Sequence, residues 1–155
     1  MTTWDNVRRA ALALPETSEV VRRDGLTQWW VNGKLFVWER PLRPADLVAL
    51  GDAAPQGPIL GARTPDLNAK QALISSEPAV YFTTPHFDGY PAVLVRLTEI
   101  TAADLAELIN EAWLARAPRR LAQAFLAERA GTAGVTVGAA QPDRAGRPRR
   151  PVRRA

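Results

Sequence analysis

Trp29-Trp30-Val31-Asn32-Gly33-Lys34-Leu35-Phe36-Val37 is the stretch whose reading decides the fold. Asn-Gly tolerates the positive φ angles of a two-residue hairpin turn, and both flanks are rich in β-branched and aromatic residues. Residues 29–31 are therefore expected to pair antiparallel with 35–37. Side chains alternate across a strand, so Trp30 falls on the opposite face from Trp29 and Val31. Both faces of the hairpin are partly apolar, which predicts a sheet covered on one side and partly covered on the other.

Working outward, residues 18–22, 26–31 and 35–40 read as strands, with Asp24-Gly25 turning between the first two. Before them, Trp4, Val7, Ala11 and Leu14 recur at helical spacing over residues 3–14. Thr2 or Thr3 is the expected cap, and Pro15 the stop. After them come a short helix entered at Pro44 and left at Gly51, then a strand at 58–62. Thr64-Pro65 opens a helix to about Ile74, with Leu67, Lys70 and Ile74 on one side. Strands follow at 79–83 and 92–97, joined by the turn-rich segment Thr84-Pro85-His86-Phe87-Asp88-Gly89-Tyr90-Pro91. Thr101 caps a helix with Leu105, Leu108, Ile109, Ala112 and Trp113 on one face. Pro118 starts another, to about Glu128, with Leu121, Phe125 and Leu126 expected to be buried. No internal repeat is present. Strands run in a block between helices, so the expected class is α+β: an antiparallel sheet with flanking N- and C-terminal helices, not a βαβ relay.

Three segments resemble a known family. The hairpin Asn32-Gly33-Lys34-Leu35-Phe36-Val37-Trp38-Glu39-Arg40-Pro41-Leu42 is similar to the G-K-x-F hairpin of MmcQ/YjbR-like proteins. Residues 82–95 resemble their second signature, in the branch that carries Thr-Pro-His-Phe. Glu107-Leu108-Ile109-Asn110-Glu111-Ala112-Trp113, followed by Ala117-Pro118, resembles the closing helices. The likeness runs from about Thr3 to Glu128. It implies a CyaY-like, double-wing α+β fold and a DNA-binding role inferred from similarity of shape, which is an associational warrant. It implies no cofactor and no catalytic residue.

Charge divides the chain unevenly. Residues 141–155 hold Arg144, Arg147, Arg149, Arg150, Arg153 and Arg154 against one acid, Asp143, for a net +5. The whole chain is +4, so residues 1–140 sum to −1. The expected organisation is one domain over residues 1–130 and a disordered Arg/Pro-rich basic tail over 131–155. Eighteen arginines against two lysines, Lys34 and Lys70, also reflect GC-rich coding. Within the tail, Gly146-Arg147-Pro148 resembles an AT-hook core, with Ala145 where that pattern has glycine. An extended arginine suits the negative potential of a narrow A·T minor groove.

Reaction chemistry is sparse. Cysteine is absent, so thiolate nucleophiles, disulfides and cysteine metal sites are excluded. His86 is the only histidine, no His-x-x-x-His pair exists, and no G-x-S-x-G elbow presents a serine. Glu107 and Glu111 read as a solvated helix face. Neither a phosphate-cradling glycine loop nor an apolar run of about 20 residues is present. The N-terminus does not read as a signal peptide, and a cytoplasmic protein is expected.

The sequence therefore points to a noncatalytic DNA-binding protein without cofactor, metal or membrane partner. Its tail arginines supply phosphate and minor-groove affinity, and Lys34 contacts phosphate at a hairpin tip. The alternative is a small-molecule- or protein-binding domain with a pocket formed by Trp30, Trp38, His86, Phe87 and Tyr90. Phe87 and Tyr90 are the aromatics expected to be most exposed.

Overall fold

A computed structural model of the protein describes residues 1–137, with side chains through Gly131. The described residues form one antiparallel six-stranded sheet and five α-helices. The first compact unit is Met1–Arg119, and a second begins at Arg120.

The chain enters through α1 (Trp4–Leu12). Thr3, not Thr2, caps it: Asn6 Oδ1 accepts from the Thr3 backbone N–H at 2.8 Å. Thr2 is buried instead, its hydroxyl donating to the Ile100 carbonyl at 2.6 Å. Strands β1 (Thr17–Val21), β2 (Thr27–Val31) and β3 (Lys34–Glu39) follow as a meander. Asn32 (φ 47°) and Gly33 (φ 79°) both sit in left-handed backbone, as a primed hairpin turn requires. The register slips once. Trp29 pairs with Val37 and Trp30 with Leu35, leaving Phe36 as the extra residue of a bulge. That is how Phe36, Val37 and Trp38 are all buried in succession.

Helix α2 (Pro44–Leu50) leads to β4 (Ile59–Arg63), α3 (Leu67–Ser76), β5 (Tyr81–Phe82) and β6 (Ala92–Arg96). Helices α4 (Ala102–Arg116) and α5 (Arg119–Val137) close the order. The sheet runs β1-β2-β3-β4-β6-β5. The strand at 79–83 contracts to two residues, and α5 continues past Glu128 to Val137. Leu126 is 51 % exposed, and Leu121 and Phe125 are only half-buried, so the expected buried face of α5 is not formed as read.

Register assigns the two faces. Trp29, Val37, Ala62 and Val93 are successive cross-strand partners and share one face. That face packs on α1 and α4, through Val7, Ala11, Leu105, Ile109 and Trp113. Trp4 stacks on Trp29 at 6.4 Å, and both fully buried indoles keep a partner: Trp29 Nε1 donates to Glu19 at 2.9 Å, Trp113 Nε1 to the Pro15 carbonyl at 3.0 Å. Each such aromatic removes roughly 150–250 Å² from water. That gain outweighs the cost of burying an indole N–H only because the N–H is satisfied.

The opposite face carries the row Gln28, Trp38, Gly61, Leu94 and Phe82. Trp38, Ile59, Phe82, Phe87, Ala92 and Leu94 form a smaller core there, with Leu35, Leu42 and Leu50 against it. Gly61 is glycine because the Trp38 indole lies across it. A Cβ on Gly61 would stand 2.4 Å from a Trp38 ring carbon.

Candidate functional site: a cleft on the second face of the sheet

The second core covers only part of its face. Beside it lies a cleft of about 710 Å³, bounded by the β1–β2 connection, the exit of β3 and the turn after β5. Its size lies in the range of small-molecule sites. The segments that build it are far apart in sequence. Trp38 and Arg40 come from the end of β3, Arg43 from the entry to α2, and His86, Phe87 and Tyr90 from the loop before β6.

That loop is pinned from behind. Pro85–Phe87 forms a 3₁₀ turn, and Phe87 packs into the second core. Lys70 of α3 is buried, its Nζ donating to the Phe87 carbonyl at 2.6 Å and the Tyr90 carbonyl at 2.9 Å. Burial lowers the Lys70 pKa from its ordinary 10.5, while the nearby Asp88 charge acts the other way. Helical spacing set Lys70 on one side with Leu67 and Ile74; Lys70 is the buried member and Leu67 is largely exposed.

Arg40 is the second anchor. It is 5 % exposed and its partner Asp46 3 %. Arg40 Nη1 stands 3.0 Å from Asp46 Oδ2 and donates to the Pro41 carbonyl at 2.6 Å, while the guanidinium carbon lies 5.2 Å from the Phe87 ring centroid. Asp46 Oδ2 also accepts from the Arg43 backbone N–H at 2.8 Å. Burial alone would raise the Asp46 carboxyl. The Arg43 backbone bond, the Arg40 charge and hydrogen bond, and the Thr84 hydroxyl outweigh it and hold the group below its ordinary 3.8. Arg40 Nη2 is buried and donates to no described group.

The aromatic wall is continuous. His86 meets Phe87 edge-on at 4.8 Å, and Phe87 lies 6.3 Å from Tyr90 and 6.4 Å from Trp38. His86 and Tyr90 are exposed. Phe87, expected to be exposed, is 7 % exposed, because Trp38 and Arg40 pack against its ring and Lys70 holds its carbonyl. Among the described residues His86 has no hydrogen-bonded carboxylate or hydroxyl partner. Trp38, His86, Phe87 and Tyr90 line the cleft; Trp30 is half-buried outside it, with Nε1 unpartnered. Lys34 is exposed at the hairpin tip and is not a cleft residue. Arg144, Arg147, Arg149, Arg150, Arg153 and Arg154 lie outside the described residues.

Ionised groups around the cleft cancel in sign. Arg22 faces Asp24 at 3.2 Å and Arg40 faces Asp46; Arg43 and Glu39 add one charge of each sign, and Asp88 lies near Lys70. Sequence reasoning singled out neither Arg40 nor Asp46, although an acid three residues into a proline-started helix is a local signal for a first-turn anchor. A second hollow, of about 480 Å³, lies between α3 and α4 beside Leu73, Tyr81 and Leu108. Burial, with Glu77 and Asp104 nearby, pushes the Tyr81 phenol up to about 12. Among the described residues no helix is long and apolar enough to cross a membrane.

Comparison with known proteins gives a consistent result. The YjbR family model matches residues 12–115. The uncharacterized proteins Rv2570 and MT2646 of two Mycobacterium tuberculosis strains, and Mb2600 of Mycobacterium bovis, are each 57% identical over 130 residues. Those matches cover 82% of this chain and 98% of theirs. A crystal structure of Deinococcus radiodurans protein DR2400, with family-model domain DUF419, superposes with a TM-score of 0.55. It is 18% identical, and the match covers 74% of this chain and 78% of that one, a likeness of fold.

Proposed function

The chain belongs to the YjbR family, and from that premise we propose that it is a noncatalytic binding protein whose cleft takes a small molecule. The observation that carries this reading is the cleft itself: about 710 Å³, walled by Trp38, His86 and Tyr90 and edged by the polar side chains of Glu39, Arg43 and Asp88. Among the described residues His86 packs edge-on against the Phe87 ring, a setting that favours a binding role over general acid–base catalysis. The test is a small-molecule fragment screen followed by amide NMR. Binders should perturb residues 38–44 and 85–90 together, and His86→Ala should weaken them with the thermal midpoint unchanged. Binders that perturb only other surfaces would remove the reading.

A second reading has its own support. The net +5 of residues 141–155, with Gly146-Arg147-Pro148 at its centre, favours DNA as a partner of the tail, with Lys34 as an accessory phosphate contact. Residues 1–140 sum to −1, which gives the body little net attraction for a polyanion. DNA affinity should fall steeply with salt, and a chain ending at Ala140 should lose most of it. Equal affinity with and without the tail would exclude the tail from binding.

A further inference from the structure

Tyr90 is 43 % exposed, yet its ring is held in place. Arg63 lies over it, guanidinium carbon 4.7 Å from the centroid, and Arg63 Nη1 donates to the tyrosine hydroxyl at 2.7 Å. The Tyr90 backbone is fixed at both ends: its N–H donates to the Phe87 carbonyl at 3.0 Å, and its carbonyl accepts from Lys70 and from the Ala92 N–H at 2.8 Å. Holding a surface side chain in one rotamer costs conformational entropy, and burial normally offsets that cost. Tyr90 is held without being buried. A ring kept still in the open is preorganised for a second flat ring, because the ordering cost is already met before a ligand arrives. The neighbouring Phe87 ring is buried and tilted 43° from Tyr90, and the His86 ring stands at 85° to Phe87, so a flat ligand can stack on Tyr90 but not on all three rings at once.

The surrounding charges narrow the chemistry further. Arg43 offers donors, and Glu39 and Asp88 offer acceptors; all three line the cleft. A polyphosphate would meet the carboxylates of Asp24, Glu39 and Asp88 as well as the guanidinium groups. A fatty or purely hydrocarbon ligand would leave these polar groups without partners. A flat molecule whose rim alternates donors and acceptors satisfies both signs at once. Arginine and carboxylate side chains read such rims in pairs of hydrogen bonds.

Resting on the ligand reading of the cleft, we infer that it takes an uncharged planar heteroaromatic molecule of the nucleobase type, stacked on the Tyr90 ring. Its rim is read by Arg43 as donor and Glu39 as acceptor. The same chemistry is offered by a free nucleoside and by one base of a single strand.

The experiment titrates the full chain with adenosine, guanosine, cytidine and uridine, with hexanoate as an aliphatic control, by calorimetry and amide NMR. At least one nucleoside should bind at millimolar concentration or below and perturb residues 85–90. Tyr90→Ala should weaken it by about ten-fold, the scale of one lost base–aromatic stack. Tyr90→Phe, which keeps the ring and its stack on Arg63 but loses the hydroxyl bond, should weaken it by less than Tyr90→Ala does, and both variants should keep the parent thermal midpoint. Nucleoside binding indifferent to Tyr90→Ala overturns the inference. So does failure of all four nucleosides; hexanoate or fragment binding at residues 38–44 in that case leaves the cleft reading standing, and its absence removes that reading too. A single-stranded trinucleotide that binds more tightly than its nucleoside, and loses the same factor with Tyr90→Ala, identifies the strand as the source. Equal affinity identifies the free nucleoside.

Discussion

Gly61 and Trp38 show how one residue governs the cleft floor. The indole occupies the space a side chain at position 61 would need. Gly61→Ala should therefore destabilise the domain by about 1–3 kcal/mol, the range for overpacking a filled core, measured by urea unfolding. Pairing it with Trp38→Leu should recover part of the loss, because the two effects share one contact. The Arg40–Asp46 pair works through charge. Asp46→Ala would leave a buried guanidinium unpaired, a loss of about 3–5 kcal/mol. The pair also sets a pH dependence. Because the folded-state carboxyl is held below 3.8, its contribution is complete above about pH 4 and is lost as pH falls through the folded value. Urea midpoints should drop on acidification below about pH 4 in the parent, and Asp46→Asn should remove that part of the slope.

At the scale of elements, the hairpin and the pinned loop behave differently. The Asn32-Gly33 turn is local, since its left-handed φ angles need only those two residues. Gly33→Ala should cost about 1 kcal/mol, the penalty of a Cβ in that region, and leave the cleft intact. The loop from Pro85 to Tyr90 depends on another element. Lys70 reaches it from α3 with two charge-assisted bonds to carbonyls that also accept from Tyr90 and Ala92 amides. Lys70→Met should speed hydrogen exchange at the Tyr90 and Ala92 amides by ten-fold or more, about 1.4 kcal/mol of lost protection, while α1 and α4 amides stay protected. Uniform acceleration across the domain would instead mark Lys70 as a general stability residue.

For the whole molecule, charge is carried unequally along the chain. Ending it at Ala140 changes the net charge from +4 to −1. Retention on a polyanion column at low salt should vanish with that change, and the thermal midpoint of the remaining chain should not move. The α+β class, the hairpin and the paired faces of the sheet were legible in sequence, because alternation, turn residues and helix caps are local properties; the family was legible through the resemblance of three segments. The apolar stripe of α4 was equally legible; its five marked positions are all buried. The bulge at Phe36 was not, since a one-residue slip depends on what both faces must bury. The pocket aromatics were partly legible. Trp38, His86, Phe87 and Tyr90 meet at one cleft, but Phe87 turned inward and Trp30 stands outside it.

Local physics of the chain was enough to determine where strands turn, which helix faces are apolar and where the net charge lies. Only the tertiary structure decided that Lys70 would be buried under a loop, that Arg40 would be sealed against Asp46, and that Tyr90 would be clamped by Arg63. Each of those contacts joins residues from different elements. Their energies depend on distance and burial, which sequence spacing does not encode.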